Sequence, residues 1–164
     1  MRRSWIQTIG LLTFMLITIA LTTGCSKTIA ISGEQADDFH DRIEQDYPAI
    51  EKTTLTFEPL TFHMTHVLKE PLDEKEKAKL FEDSRRFLMS DRFDEEIIQS
   101  PKIAKYFSSG HPNFVVVFRT ENPDSISRFE LRANNEKNAD PVYRQWYYAE
   151  DDEALGEPYV EENK

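Results

Sequence analysis

Cysteine is nearly absent from this chain of 164 residues, which contains Cys25 alone. One cysteine cannot close a disulfide within the chain, and it cannot supply the several thiolates of a structural zinc site. Any folded domain in this sequence must therefore be stabilised by packing.

Glycine is also scarce, with five residues in the whole chain. Nucleotide-binding loops need clustered glycines so that the backbone can approach the phosphates, and the sequence has no such cluster. It also lacks the nucleophile elbow, the zincin helix and the kinase signatures. The sequence therefore predicts no catalytic residue and no cofactor.

Basic residues are fewer than acidic ones, with 20 Lys and Arg against 30 Asp and Glu. Arg2 and Arg3 are the only charged residues before Cys25, so the chain from Cys25 onward has 18 basic and 30 acidic side chains and a net charge near −12. Proteins that bind nucleic acid carry basic patches. This composition argues against nucleic acid as a partner, and against electrostatic attraction to anionic lipids.

The N-terminal segment has the layout of a secretory signal: Arg2 and Arg3, an apolar core over Leu11–Leu21, then small residues. Its last five residues, Leu21-Thr22-Thr23-Gly24-Cys25, resemble the lipobox of bacterial lipoproteins, in which signal peptidase II cleaves before the cysteine. The resemblance implies that Cys25 becomes the mature N-terminus and carries a diacylglyceryl thioether, usually with an acylated amine.

This resemblance predicts a protein held at the outer side of a bacterial cell membrane by the acyl chains on Cys25, because two or three chains anchor stably. Two alternatives stay open at this point. Ser4–Ser26 carries no charge and could cross a bilayer of about 30 Å as an uncleaved anchor, or the chain could simply be secreted. The residues after the first 30 face outward in all three cases.

Composition and pattern divide the chain into four parts. They are a signal peptide over 1–24, the lipidated cysteine and a short tether over 25–32, a single α+β domain over 33–149, and an acidic, disordered tail over 150–164. The six residues after Cys25 reach at most about 20 Å, so the domain is expected close to the membrane.

The first half of the domain changes its apolar period twice. Helical spacing predicts a helix over 33–47, and alternation predicts two strand halves over 53–68, around a bend at Glu58-Pro59. Asp73 and Glu76 have the spacing of a capping box, which predicts a helix there. Shorter helices are predicted to follow.

The C-terminal third predicts three strands in an antiparallel meander. Phe114–Phe118 is apolar on both faces, as in a central strand, and the residues around Phe129 alternate. Tyr143–Tyr148 forms the third, aromatic strand. We therefore expect an α+β fold of an N-terminal helix, a strand, helices and this meander, with one sheet and the helices on one of its faces.

A candidate metal site lies on the predicted first helix. Asp37 and Asp41 are four residues apart, so they share a helix face, and His40 is adjacent to it. Carboxylate oxygens suit a hard divalent cation. The alternative is an acidic face directed to solvent, opposite Phe39.

His63 and His66 resemble a ligand pair only until they are placed on a strand. Their odd separation puts them on opposite faces. His66 then lies on the apolar side and is predicted to be a core histidine with a hydrogen-bond partner.

A basic and aromatic surface is the candidate binding site. Arg119, Arg128 and Arg132 are predicted to point away from the helices. The last strand would place either Tyr143 and Tyr147 or Arg144 and Trp146 beside them. Guanidinium groups suit carboxylate or phosphate, and aromatic rings suit sugar faces. The alternative is a set of cross-strand ion pairs without a ligand.

Three functional hypotheses follow from these features. The first is a lipid-anchored, non-catalytic domain that binds an envelope protein or polymer. The second is a metal-dependent or acid–base enzyme that uses the helix face of Asp37 and Asp41. The third is a surface protein whose acidic coat maintains solubility.

Substitution of Cys25 by alanine tests the anchor. We expect Cys25→Ala to abolish incorporation of a radiolabelled fatty acid, because the thioether can form only on this residue. Acyl label that persists on the variant would exclude the lipobox interpretation.

Overall fold

The computed structural model describes residues 28–107, 111–120, 126–131, 145–150 and 156–159. The helices are α1 (Glu34–Asp46), α2 (Glu74–Leu88), α3 (Asp91–Phe93), which continues as a π-helical turn (Asp94–Ile98), and α4 (Pro101–Ala104). The strands are β1 (Ile29–Ala30), β2 (Ile50–Glu58), β3 (Thr61–Leu68), β4 (Asn113–Thr120), β5 (Ile126–Leu131), β6 (Trp146–Glu150) and β7 (Glu157–Pro158).

The seven strands of the described part form one sheet and lie side by side in chain order. All neighbours are antiparallel except β3 and β4, which run parallel from the pair Thr61–Asn113 to the pair Leu68–Thr120. Parallel neighbours need a long crossover, and α2, α3 and α4 lie in that connection. The β2–β3 hairpin is thereby joined to the strands that follow.

Local sequence explains where the two long helices begin. The Asp73 side chain accepts a 2.8 Å hydrogen bond from the Glu76 N–H, and the Glu76 side chain accepts one from the Asp73 N–H. The predicted capping box of α2 is therefore confirmed. Helix α1 follows Gly33, whose φ of 143° lies in a region that side chains disfavour.

One face of the sheet packs against the helices and forms the core. Alternate residues of β3 are buried, namely Phe62, Met64, His66 and Leu68. Stacked rings extend the core across the layers: the Phe39 and Phe87 centroids are 4.1 Å apart between α1 and α2. Those of Phe81 and Phe129 are 3.9 Å apart between α2 and β5. Such pairs add roughly 0.5–1.5 kcal/mol each beyond the burial of their area.

The predicted mixture of helices and strands is confirmed, but the detail of a three-stranded meander is not matched. The sheet has seven described strands, and β3 pairs in parallel with β4. Strands β1 and β7 have two residues each, which is too short for an alternating pattern to signal them.

The segment 25–32, predicted as a tether, contains strand β1. Ile29 pairs with Phe57, and Ala30 pairs with Thr56. The prediction is therefore corrected: the sheet begins at Ile29, so the chain between Cys25 and the domain is shorter than expected.

The segment 150–164, predicted as a disordered tail, contains strand β7. Its successor Tyr159 packs on the core, with its ring centroid 4.8 Å from that of Phe81 and 5.4 Å from that of Phe129. The prediction is wrong for 156–159, because this short stretch gains backbone pairing with β6 and aromatic contacts that outweigh its polar composition.

Gly156 tests the docking of β7. A Cβ at this position would lie 1.8 Å from the Tyr148 carbonyl oxygen, so Gly156→Ala should displace β7 and lower the free energy of unfolding by about 1–3 kcal/mol. Chemical denaturation followed by the fluorescence of Trp146, the only tryptophan after Cys25, measures the change. The control Glu157→Ala alters an exposed residue of the same strand and should stay within about 0.5 kcal/mol of wild type. Equal stability of Gly156→Ala would contradict this packing.

Candidate functional site

The face of the sheet opposite the core cluster is named here the outer sheet face. Its residues include Thr54, Thr56, Glu58, His63, Thr65, Val67, Val115, Val117, Arg119, Arg128, Tyr147 and Ala149. Two rows of cross-strand partners cross it. The first runs through Thr54, Thr65, Val117, Arg128 and Ala149, and the second runs through Thr56, His63, Val115, position 130 and Tyr147.

The structure places Arg119 and Arg128 together on the outer sheet face. Arg119 is exposed and lies opposite Ile126, whereas Arg128 is partly buried and lies opposite Val117. Since Val117 and Arg119 are two residues apart on β4, the two arginines are diagonal neighbours on adjacent strands. Arg132 and Tyr143, the other predicted members, lie outside the described residues.

Of the two alternatives for the last strand, the one that places Trp146 on this surface is wrong. The residue is buried on the core face, and its ring is T-shaped against Phe81 with centroids 5.1 Å apart. Tyr147 points to the outer sheet face instead, because side chains alternate along β6. Burial of the large apolar indole ring of Trp146 stabilises the core, whereas Tyr147 on the other face can keep its hydroxyl group in contact with water.

The outer sheet face combines groups that suit an anionic or hydroxylated ligand. Arg119 and Arg128 provide guanidinium groups, Tyr147 provides a ring with a hydroxyl, and threonines line the β2–β3 side. His63 stands on the same face with its Nε2 4.0 Å from Glu58 Oε2. Two arginines and a histidine thus lie on one face of a chain that is acidic as a whole, together with Glu58.

A buried polar network joins the sheet to α2 on the opposite, core side. His66 Nδ1 lies 3.0 Å from Thr53 Oγ1, and His66 Nε2 lies 2.9 Å from Ser84 Oγ. Ser84 donates its hydroxyl hydrogen to the Leu80 carbonyl at 2.8 Å, so its oxygen accepts from Nε2–H. Nδ1 therefore carries no proton and accepts from the Thr53 hydroxyl.

This Ser84–His66 contact resembles the nucleophile and base of a hydrolase, but its surroundings exclude that role. Both side chains have no exposed surface, and the serine hydroxyl is already committed to the helix backbone. Burial, and next the nearby His40, lowers the pKa of His66 to about 3, so the ring stays neutral. The prediction of a core histidine with satisfied partners is confirmed.

The candidate metal ligands Asp37, His40 and Asp41 do not assemble into a site. Within the described ranges, no group of three or more His, Cys, Asp and Glu side chains could hold a metal ion. Burial lowers the pKa of His40 despite Asp37, Glu44 and Asp41 nearby. The His40 Nε2 atom is buried without a hydrogen-bond partner among the described residues.

A surface cleft of about 310 Å³ lies between α1 and the α2–α3 region. Its lining residues are Gln35, Asp38, Phe39, Arg42, Phe87 and Arg92. Both cations are already engaged: the Arg42 guanidinium lies 5.5 Å from the Phe39 ring centroid, and Arg92 Nε donates to Glu96 Oε1 at 2.7 Å. The charges of this cleft are therefore paired locally.

No protein-family model matches this chain, and no curated protein or solved structure matches it significantly. None of the helices in the described ranges has the length and the apolar character that crossing a bilayer requires. A function for this chain must therefore be inferred from its own residues.

Sequence reasoning missed the partners of His66, although one signal was present. Ser84 interrupts the buried stripe of α2 at helical spacing from Leu80, Phe81, Phe87 and Leu88. A small hydroxyl residue on an apolar helix face needs a polar partner across the core, and His66 is the polar residue on the apolar face of β3.

The His66 network predicts a specific loss of stability in acid. The folded-state pKa is about 3 and the ordinary value is 6.5, so between these pH values the unfolded chain binds a proton that the folded chain does not. The free energy of unfolding should therefore fall as the pH drops from 6.5 towards 3, by up to about 1.4 kcal/mol per pH unit. Above pH 6.5 this contribution is constant.

Denaturation curves between pH 3 and pH 7.5 measure this slope. His66→Gln removes the titrating group and should flatten the curve, whereas His63→Gln, on the opposite face of β3, should keep the wild-type slope. An unchanged slope in His66→Gln would show that other groups carry the acid sensitivity.

Proposed function

We propose that this chain is a lipid-anchored, extracytoplasmic binding domain of a bacterial cell envelope, and that it binds an envelope protein or polymer through the outer sheet face. The observation that carries the proposal is the concentration of Arg119, Arg128 and Tyr147 on the sheet face that does not contribute to the core cluster.

The arrangement of the layers supports this choice of face. The described helices supply residues to the core cluster on one side of the sheet, so the opposite face has no comparable helical partner among the described residues. Most of its side chains are partly exposed rather than buried. Two arginines at neighbouring positions of adjacent strands, on a chain that is acidic as a whole, favour a ligand at this face.

The chemistry of the face supports an anionic partner. Arg119 is exposed at the end of β4, and an arginine fork binds carboxylate or phosphate through two parallel hydrogen bonds. A partner with acidic side chains, or a polymer with phosphate or carboxylate groups, would meet positive charge here and repulsion from the acidic remainder of the chain.

The signal segment supports the location. The match of Leu21–Cys25 to a lipobox and the acyl chains that it implies provide attachment that does not depend on charge. This suits a chain whose net charge beyond Cys25 is near −12. The alternative of an enzyme that uses Asp37 and Asp41 gains no support from the positions of these residues.

Site-specific photo-crosslinking in cells tests the binding face. A photoreactive residue at Thr65 or Arg119 should give discrete adducts, whereas the same residue at Arg86, whose side chain is 79% exposed on α2, should not. Arg119→Glu should reduce the adduct formed through Thr65, and Arg86→Glu should leave it unchanged. Equal adducts from Arg86 and Arg119, or none from Thr65 and Arg119, would overturn the proposed face.

A further inference from the structure

The tether enters the sheet at the tip of the β2–β3 hairpin. Strand β1 is antiparallel to β2, and Ile29 pairs with Phe57. Thr28, the first described residue, donates its hydroxyl hydrogen to Glu58 Oε1 at 3.0 Å, so it lies beside the last residue of β2. The turn Pro59-Leu60 follows β2 directly. Because β1 and β2 are antiparallel, the chain that precedes Thr28 approaches the sheet from the side of this turn.

The distance to a lipidated Cys25 is short. Thr28 is the third residue after Cys25, and a fully extended chain spans at most about 3.6 Å per residue. Cys25 therefore lies within about 11 Å of Thr28. The headgroup layer on one side of a bilayer is itself about 5–8 Å thick, so the hairpin tip must lie near the membrane surface when acyl chains hold Cys25.

Leu60 at this tip is unusual in two independent ways. Its φ is +76°, and a position after proline in a two-residue turn with positive φ favours glycine or asparagine. Its side chain is also 53% exposed, the highest value among the large hydrophobic residues of the described part. Neither backbone preference nor core packing accounts for leucine here, and strain of this kind tends to be kept at functional positions.

A backbone hydrogen bond links the tip to β4. The Leu60 carbonyl accepts a 2.7 Å hydrogen bond from the Asn113 N–H at the start of β4. Because β3 and β4 are parallel, both begin at this end of the sheet. The backbone of Leu60 is thus tied to the start of β4.

Helix α4 adds groups that suit a lipid headgroup layer. Lys102 Nζ donates to the Ala30 carbonyl at 3.2 Å, which places α4 beside β1. Lys105 Nζ lies 5.3 Å from the Tyr106 ring centroid, and that ring lies 5.4 Å from Phe57. Tyrosine is enriched at membrane interfaces, and lysine can extend its ammonium group to the phosphates while its stem covers apolar surface.

We propose that the hairpin tip Pro59-Leu60, together with Lys102, Lys105 and Tyr106, rests on the lipid headgroup layer and fixes the orientation of the domain on the membrane. This inference rests on the lipid anchor of the proposed function. The occupant is the lipid surface because the three-residue connection from Cys25 leaves little room for a protein between the tip and the bilayer. Glu95 and Glu96 are exposed on the neighbouring π-helical turn. Because their negative charges are repelled by lipid phosphates, they restrict the contact to the hairpin tip and the residues around α4.

The orientation has a direct consequence for the outer sheet face. The strands then stand with their tip end towards the bilayer, so both faces of the sheet rise from the membrane. The binding face is accessible from the side, along the membrane surface, and Arg119 near the far end of β4 stands away from the lipids.

Depth-dependent quenching on the full lipidated protein tests the proposal. A fluorophore is attached to a new cysteine at Leu60→Cys, and to one at Glu70→Cys beyond the opposite end of β3, about 25 Å away along the strand. Cys25 is consumed by lipidation, so the label reports one site. Cysteine imposes the same backbone requirement at position 60 as leucine, and Lys105→Cys provides a second site at the same corner.

The labelled proteins are reconstituted in phosphatidylcholine–phosphatidylglycerol vesicles that contain a spin-labelled lipid. We expect quenching at positions 60 and 105 to be several-fold stronger than at position 70. Quenching at 60 and 105 as weak as at 70, while the protein still floats with the vesicles, would overturn the orientation and leave the anchor intact. A protein that carries no acyl chain and does not float would refute the anchor and this inference with it.

Discussion

The parallel pairing of β3 with β4 is the constraint on which the rest of the structure depends. It joins the β2–β3 hairpin to the C-terminal strands along all eight residues of β3, and it requires the chain to cross over the sheet between them. The crossover contains α2, α3 and α4, and it carries Phe81, Leu88 and Phe93 into the core. Without this pairing, the hairpin and the later strands would form two small sheets, and β3 and β4 would each become an unpaired edge strand.

The sequence predicted those features that depend on local patterns. The capping box of Asp73 and Glu76 was identified from spacing alone, and the opposite faces of His63 and His66 followed from the period of a strand. The doubly apolar β4 correctly indicated a central strand. These features are set by backbone geometry within a few residues, so they do not depend on the remainder of the fold.

The features that the sequence did not predict depend on distant partners. Strands β1 and β7 exist because of pairing with β2 and β6, and Tyr159 is ordered by contacts with Phe81 and Phe129. Trp146 was a candidate for the wrong face because the sequence does not show where β6 begins. Either set of alternate residues in this aromatic run could be buried. Arg119 and Arg128 were placed on the correct face because the alternation on their strands was clear, whereas Arg132 and Tyr143 lie outside the described residues.

The short edge strands have a consequence for the proposed anchoring to a membrane. Confinement to a surface raises the effective concentration of neighbouring copies, and unpaired strand edges invite sheet-to-sheet association between copies. Here both edges of the described sheet are two-residue strands, and β7 ends in a proline that cannot donate a backbone hydrogen bond. The geometry of the edges therefore limits lateral self-association at high surface density without any contribution from side-chain charge.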